Sequence, residues 1–193
     1  DSLEDNDDIN KLYSNFDVDE ETLLQDWYMR ILGVDPGLGI TGFSILDTKR
    51  NQTHLSAYGT IKPKAKDSLP KRLNYLFEEM NKILDQFLPD VMAIEDAFYS
   101  KNVKSAMTLG QARGSLIIAA AQADIPIYEF APRKVKMSVC GNGAASKEQV
   151  SYMVTQILKL KEPPKPLDIS DAMAVGLCYI NQAKFLWLIN WKV

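Results

Sequence analysis

Short apolar runs closed by turn or charged residues recur along the chain from Arg30 onward, and two of them end on an acid. Ile31-Leu-Gly-Val34 leads into Asp35 and Pro36, and Val91-Met-Ala-Ile94 leads into Glu95. Runs of four or five Val, Ile, Leu and Met residues between loop signals read as buried parallel strands. The pattern predicts strands over 30–35, about 40–47 and about 53–61, a helix over about 69–88, a strand over 91–95, a helix over about 104–123, a strand over 126–130, and then helices only. Three strands followed by alternating helix and strand imply an α/β fold, a five-stranded mixed sheet flanked by helices. Gly37, Gly39 and Gly42 permit a tight turn after the first strand, with the next stretch returning as its hairpin partner. Pro163, Pro164 and Pro166 make a rigid connector that stops one helix near residue 160 and delivers the chain to another at Asp168.

Composition narrows the class. A chain of 193 residues, 46% hydrophobic and 24% charged, suits one globular domain with a sizeable core. No apolar run approaches the roughly 18 residues of a membrane span, and the beginning of the chain is acidic, so a soluble, cytoplasmic protein is expected. Cys140 and Cys178 lie among apolar neighbours without CxxC spacing and read as reduced thiols. The net charge of −3 divides unevenly: residues 1–28 hold ten acids and one base, for −9, whereas the remainder holds 21 bases and 15 acids, for +6. The basic part suits a polyanion. Residues 1–28 are expected to be a poorly ordered acidic extension outside the catalytic fold, with Met29 a plausible translation start. Residues 29–182 form the domain, and the apolar, aromatic residues 183–193 are a C-terminal tail.

Asp35 and Glu95 stand at strand ends, where open α/β sheets place their chemistry. Asp168 and Asp171 lie three apart, on one face of the helix they open. Four carboxylates are the oxygen ligands that Mg²⁺ and Mn²⁺ prefer, and two such ions activate water and stabilise a leaving oxygen in phosphodiester hydrolysis. The plainer alternative makes Asp35 a turn residue before Pro36 and the helix pair first-turn acids facing the helix dipole.

Six segments in order carry a resemblance to a known family: Gly33-Val-Asp-Pro-Gly-Leu38, Ala93-Ile-Glu-Asp-Ala-Phe98, Lys101 through Gly114 with Gln111-Ala-Arg-Gly114, Pro132-Arg-Lys-Val-Lys136, Lys147-Glu-Gln-Val150 and Asp168-Ile-Ser-Asp-Ala-Met-Ala174. Residues 29 to about 182 resemble the RuvC family of Holliday-junction resolving endonucleases. The resemblance implies an RNase H-like fold, a homodimer, two divalent ions per site, and paired symmetric nicks across a four-way DNA junction in recombination and repair. It implies metal-binding roles for Asp35, Glu95, Asp168 and Asp171, and an electrostatic role for Lys147 at the reacting phosphate. It also assigns DNA contacts to Lys136 and to Phe98, an aromatic that stacks on an unpaired base. Tyr99 departs from the small residue common there; Asn102, Arg133 and Lys134 are further candidate DNA contacts. The apolar helix holding Met107, Leu109, Ala112, Leu116, Ile117, Ala119 and Ala120, with Gly110 and Gly114, belongs to the family's dimer contact, and a branch-migration helicase complex of the RuvA and RuvB type is the implied partner. Residues 1–28 resemble the C-terminal end of YebC-type regulators, which suggests a fused or read-through frame. Three competing classes are weaker: a sugar-kinase or Hsp70-like ATPase needs a duplicated domain, a YqgF-type nuclease lacks the Gln-Ala-Arg-Gly helix, and a catalytically dead junction scaffold does not require intact acids.

Overall fold

Five strands and five helices account for the chain described by the computed structural model, which covers residues 28–49, 52–96 and 103–190, the last seven as backbone only. The strands are β1 (Tyr28–Asp35), β2 (Thr41–Lys49), β3 (Gln52–Ile61), β4 (Val91–Glu95) and β5 (Ile127–Phe130). The helices are α1 (Leu69–Phe87), α2 (Val103–Gln122), α3 (Pro132–Cys140), α4 (Lys147–Ile157) and α5 (Leu167–Asn190). The sheet order is β3-β2-β1-β4-β5, with β1–β2 and β2–β3 antiparallel and β1–β4 and β4–β5 parallel. This is the expected five-stranded mixed sheet flanked by helices.

The period-two alternation of the strands sorts their apolar side chains between two cores. Ile31, Val91 and Ala93 pack with α3, α4 and α5, whereas Leu32, Val34, Met92 and Ile94 pack with α1 and α2. On α2 the buried residues are Ala112, Leu116, Ala119 and Ala120, so these face the sheet, while Met107 is exposed. His54 is exposed, and Cys140 and Cys178 are free thiols. No described helix is long and apolar enough to cross a membrane.

Two boundaries differ from expectation. β1 begins at Tyr28 rather than residue 30, because Tyr28 pairs with Lys49 and its hydroxyl donates to Asp47, which also takes the Arg30 guanidinium. Tyr28 therefore belongs to the sheet, not to the acidic extension; residues 1–27 lie outside the described residues. α5 continues to Asn190, through the expected boundary at 182, because nothing after Gly176 is a Gly or Pro that would stop it. The tight turn expected after β1 is present and Gly37 permits it, since a Cβ there would stand 2.2 Å from the Ile40 carbonyl oxygen; none of Gly37, Gly39 and Gly42 has a left-handed φ, and Gly141, the C-cap of α3, is the one described glycine that does. The 36–40 turn is also tied by Thr41, whose hydroxyl donates to the Gly37 carbonyl and accepts from its N–H.

Candidate active site

Asp35 follows Ile31 and Gly33 in the alternation of β1 and so faces the α5 side of the sheet. Glu95 follows Val91 and Ala93 on β4 and faces the same side. β1 and β4 are adjacent and parallel with Val34 opposite Ile94, so both carboxylates emerge side by side from neighbouring strand ends. The acids of α5 reach that rim because the helix lies directly on the backbone of β1 and β2. A Cβ on Gly33 would stand 2.3 Å from the Ala172 carbonyl oxygen, and one on Gly42, the cross-strand partner of Asp35, only 2.0 Å from that of Asp168. Absence of side chains there brings the start of α5, with Asp168 in its first turn and Asp171 just after it, onto the row that ends in Asp35.

Lys147 is the first residue of α4, whose start is fixed by a capping box between Ser146 and Gln149. A cation is poorly placed at a helix N-terminus. Here it is compensated across the site: Lys147 Nζ donates to Asp171 Oδ2 at 2.6 Å. A buried hydroxyl pair, Ser151 and Ser170 at 2.9 Å, holds α4 to α5 and keeps the two partners in register.

These groups share one electrostatic field. Burial, then the neighbouring Glu95, Asp171 and Asp168 charges, push Asp35 up to about 8 against the opposing pull of Lys147. Glu95 is pushed up to about 6 by burial and Asp171, with Lys147 and Lys136 acting the other way. For Lys147, burial lowers the value, but the Asp171 hydrogen bond and charge more than offset it and the net shift is upward. Among the described residues no three acid, His or Cys side chains stand close enough to hold an ion as they are, with Asp171 engaged by Lys147. The donor set nonetheless fits hard divalent cations: hard oxygen ligands gathered in each other's field, two of them disfavoured as anions until positive charge arrives.

Of the remaining candidates, Lys136 reaches the site through its field on Glu95. Arg133 lays its side chain along the 141–146 loop, where a Cβ on Gly143 would come within 2.6 Å of its Cγ. Lys134 sits 5.3 Å from the Phe130 ring centroid and donates to Gln182, contacts that hold α3 to β5 and α5 and leave it engaged away from the acids. Phe98, Tyr99 and Asn102 lie outside the described residues.

Arg113 stands in one of the six sequence segments without a role assigned to it there. Its guanidinium donates to Glu129 on β5 and lies 3.6 Å from Asp96, the residue after Glu95, whose own N–H donates to the Phe130 carbonyl at 2.8 Å. The signal was present, since Arg113 is the only charged residue between Lys104 and Asp124. Arg113→Met is expected to loosen the end of β4 and slow any turnover at this site about tenfold, the equivalent of about 1.4 kcal/mol and within what a charged hydrogen bond is worth. Arg113→Lys, which keeps the charge without the planar fork, should recover part of the rate measured at saturating protein.

The family model for Crossover junction endodeoxyribonuclease RuvC matches residues 31–179. A protein of that description from Finegoldia magna is 47% identical over 164 residues, covering 85% of this chain and 100% of its own. Among solved structures, T. thermophilus RuvC in complex with Holliday junction substrate matches with a TM-score of 0.77 at 30% identity, covering 81% of this chain and 96% of that one. The yeast mitochondrial Holliday junction resolvase Ydc2 shares the fold at 12% identity, with a TM-score of 0.60 and 84% of each chain covered.

Proposed function

The chain belongs to the RuvC family of crossover junction endodeoxyribonucleases, and we propose that it resolves four-way DNA junctions by paired symmetric nicks in recombination and repair. The observation that carries the reading is the meeting of Asp35, Glu95 and the α5 acids at one rim, where burial and mutual repulsion hold Asp35 up to about 8. Such a rim repels phosphate unless cations cover it, which is the condition of a metal-dependent nuclease. Asp35, Glu95, Asp168 and Asp171 would hold two Mg²⁺ or Mn²⁺ ions, which when bound supply an activated water and positive charge at the scissile phosphate. Lys147 adds a fixed positive charge beside Asp171, stabilising charge that grows on the phosphate without taking part in proton transfer. Lys136 extends that positive field toward Glu95, and Phe98 stacks on an unpaired base beside the crossover.

Paired nicks need two sites, and the exposed face of α2 supports a contact there with a second copy. Val103, Met107 and Ile118 are 75%, 63% and 54% exposed. At helical spacing they share a face with Gly110 and Gly114, which have nothing within 4 Å of a Cβ. An exposed apolar stripe with small residues at its middle suits a self-complementary helix contact about a two-fold axis. A branch-migration helicase complex of the RuvA and RuvB type is the further partner that family membership suggests.

The test is incubation of the protein with a synthetic four-way junction and a matched linear duplex in Mg²⁺, with both strands resolved on a denaturing gel. Symmetric nicks on the junction alone are expected. Binding without cutting would make the chain a scaffold, and equal cutting of the linear duplex a general nuclease.

A further inference from the structure

The stretch between β3 and the second turn of α1, Lys62-Pro-Lys-Ala-Lys-Asp-Ser-Leu-Pro-Lys-Arg72, holds five bases and one acid. Lys62, Lys64, Lys66 and Lys71 are exposed, and no ion pair or side-chain hydrogen bond engages them among the described residues. Four unpaired lysines on a stretch this short repel one another, an arrangement that gains stability only when an anion comes to it.

Its place in the fold says which anion. Asp35, Gly42 and Thr60 stand in one row across β1, β2 and β3, so the end of β3 lies two strand spacings, about 10 Å, from the catalytic carboxylate. Lys62 follows two residues later. The far side of the turn is anchored to the same rim, since Arg72 on α1 donates to the Leu38 carbonyl at 3.0 Å, inside the loop that follows Asp35. The opposite end of the rim is also basic: α3, with Arg133 and Lys136, follows β5. The acids therefore sit at the centre of a strand-end rim about 19 Å across, four strand spacings, with positive charge at both ends. A duplex laid across that rim meets lysines on either side of the carboxylates.

From this placement we infer that Lys62, Lys64, Lys66 and Lys71 form a phosphate-backbone site for the duplex arm that leaves the crossover on the β3 side. The inference rests on the resolvase reading and adds a second anchoring point to it. Contacts of this kind fix where the arm runs and carry no sequence preference. They also offset the repulsion between the arm and the central acids, within about one Debye length at 0.1 M salt.

The experiment compares the full chain with a variant combining Lys62→Ala, Lys64→Ala, Lys66→Ala and Lys71→Ala, using fluorescence anisotropy of a labelled four-way junction over a salt series without divalent metal. Binding of the variant is expected to be about 10- to 100-fold weaker at about 0.1 M salt, with the slope of log affinity against log salt shallower by about 2 to 4, near 0.9 for each phosphate no longer neutralised. The matching four-arginine variant should bind like the parent. At saturating concentration the alanine variant should still nick the junction, because the acids and Lys147 are untouched. Equal affinity and equal salt slope in the alanine variant would overturn the inference and leave the lysines to an acidic protein surface. A parent that binds and cuts beside an indifferent alanine variant removes this inference alone; a parent that neither binds nor cuts removes the resolvase reading with it.

Discussion

Asp35→Asn is expected to lose junction nicking by roughly a thousandfold or more, about 4 kcal/mol of transition-state stabilisation, while binding the junction at least as well as the parent. The activity falls because the amide cannot supply the anionic oxygen at the centre of the site, and binding holds because one negative charge leaves a surface that phosphate approaches. The same substitution should make the metal-free protein more stable, in a way that depends on pH. In the unfolded chain the carboxyl titrates near 3.8, and in the folded protein near 8. Below pH 4 both states hold the proton and the group carries no penalty. Between pH 4 and 8 the unfolded state releases it while the folded state retains it, so stability falls as pH rises and the penalty is complete above the folded value. Thermal melts of parent and Asp35→Asn in chelator should therefore coincide near pH 4 and separate increasingly up to pH 8, with added Mg²⁺ raising the parent alone. Melts that stay parallel across that range would show that Asp35 is not held in a strained, buried environment.

Gly42→Ala should be the most damaging single methyl in the domain. The new Cβ would lie 2.0 Å from the Asp168 carbonyl oxygen and 2.5 Å from its carbon. Both sides of the collision are backbone, one in a central strand and one in a packed helix, so no side chain can rotate away. Either β2 bends or the first turn of α5 lifts. Overpacking against fixed backbone should cost about 3 kcal/mol or more, read as a drop in denaturant midpoint. Any protein that still folds should nick poorly, because the lift that relieves the clash carries Asp168 and Asp171 away from Asp35. Gly39→Ala supplies the contrast: nothing lies within 4 Å of its Cβ, and its stability should stay within about 0.5 kcal/mol of the parent.

Gly42 also marks where sequence reading stopped. Strand β4 was legible to the residue, since an apolar run closed by Glu95 and opened after Pro89 and Asp90 has sharp ends. The order of elements and the four acids were legible for the same reason: period and punctuation are local. That Gly42 serves an approach between elements rather than a turn is not local, because it depends on which helix returns to lie on β2 and how closely. Lys134 and the lysines after β3 are a second case. Lys134 was read as a candidate DNA contact and is engaged by Phe130 and Gln182, whereas Lys62, Lys64, Lys66 and Lys71, which drew no reading, stand without such partners beside the rim. Spacing along the chain reveals charge, whereas the engagement of each charge follows from packing. The extension of α5 past residue 182 was hidden by the aromatic composition of that segment, which reads as foreign to the domain although it has no helix breaker.

The first acid of the site ends the opening strand of the domain and the last two begin its closing helix. A ribosome extending this chain displays Asp35 early and Asp168 and Asp171 only late, so no product shorter than 171 residues holds the full set of carboxylates. Molecules truncated before α5 lack two of the four carboxylates. The order of the chain thus leaves the carboxylate set incomplete until most of the domain has been synthesised.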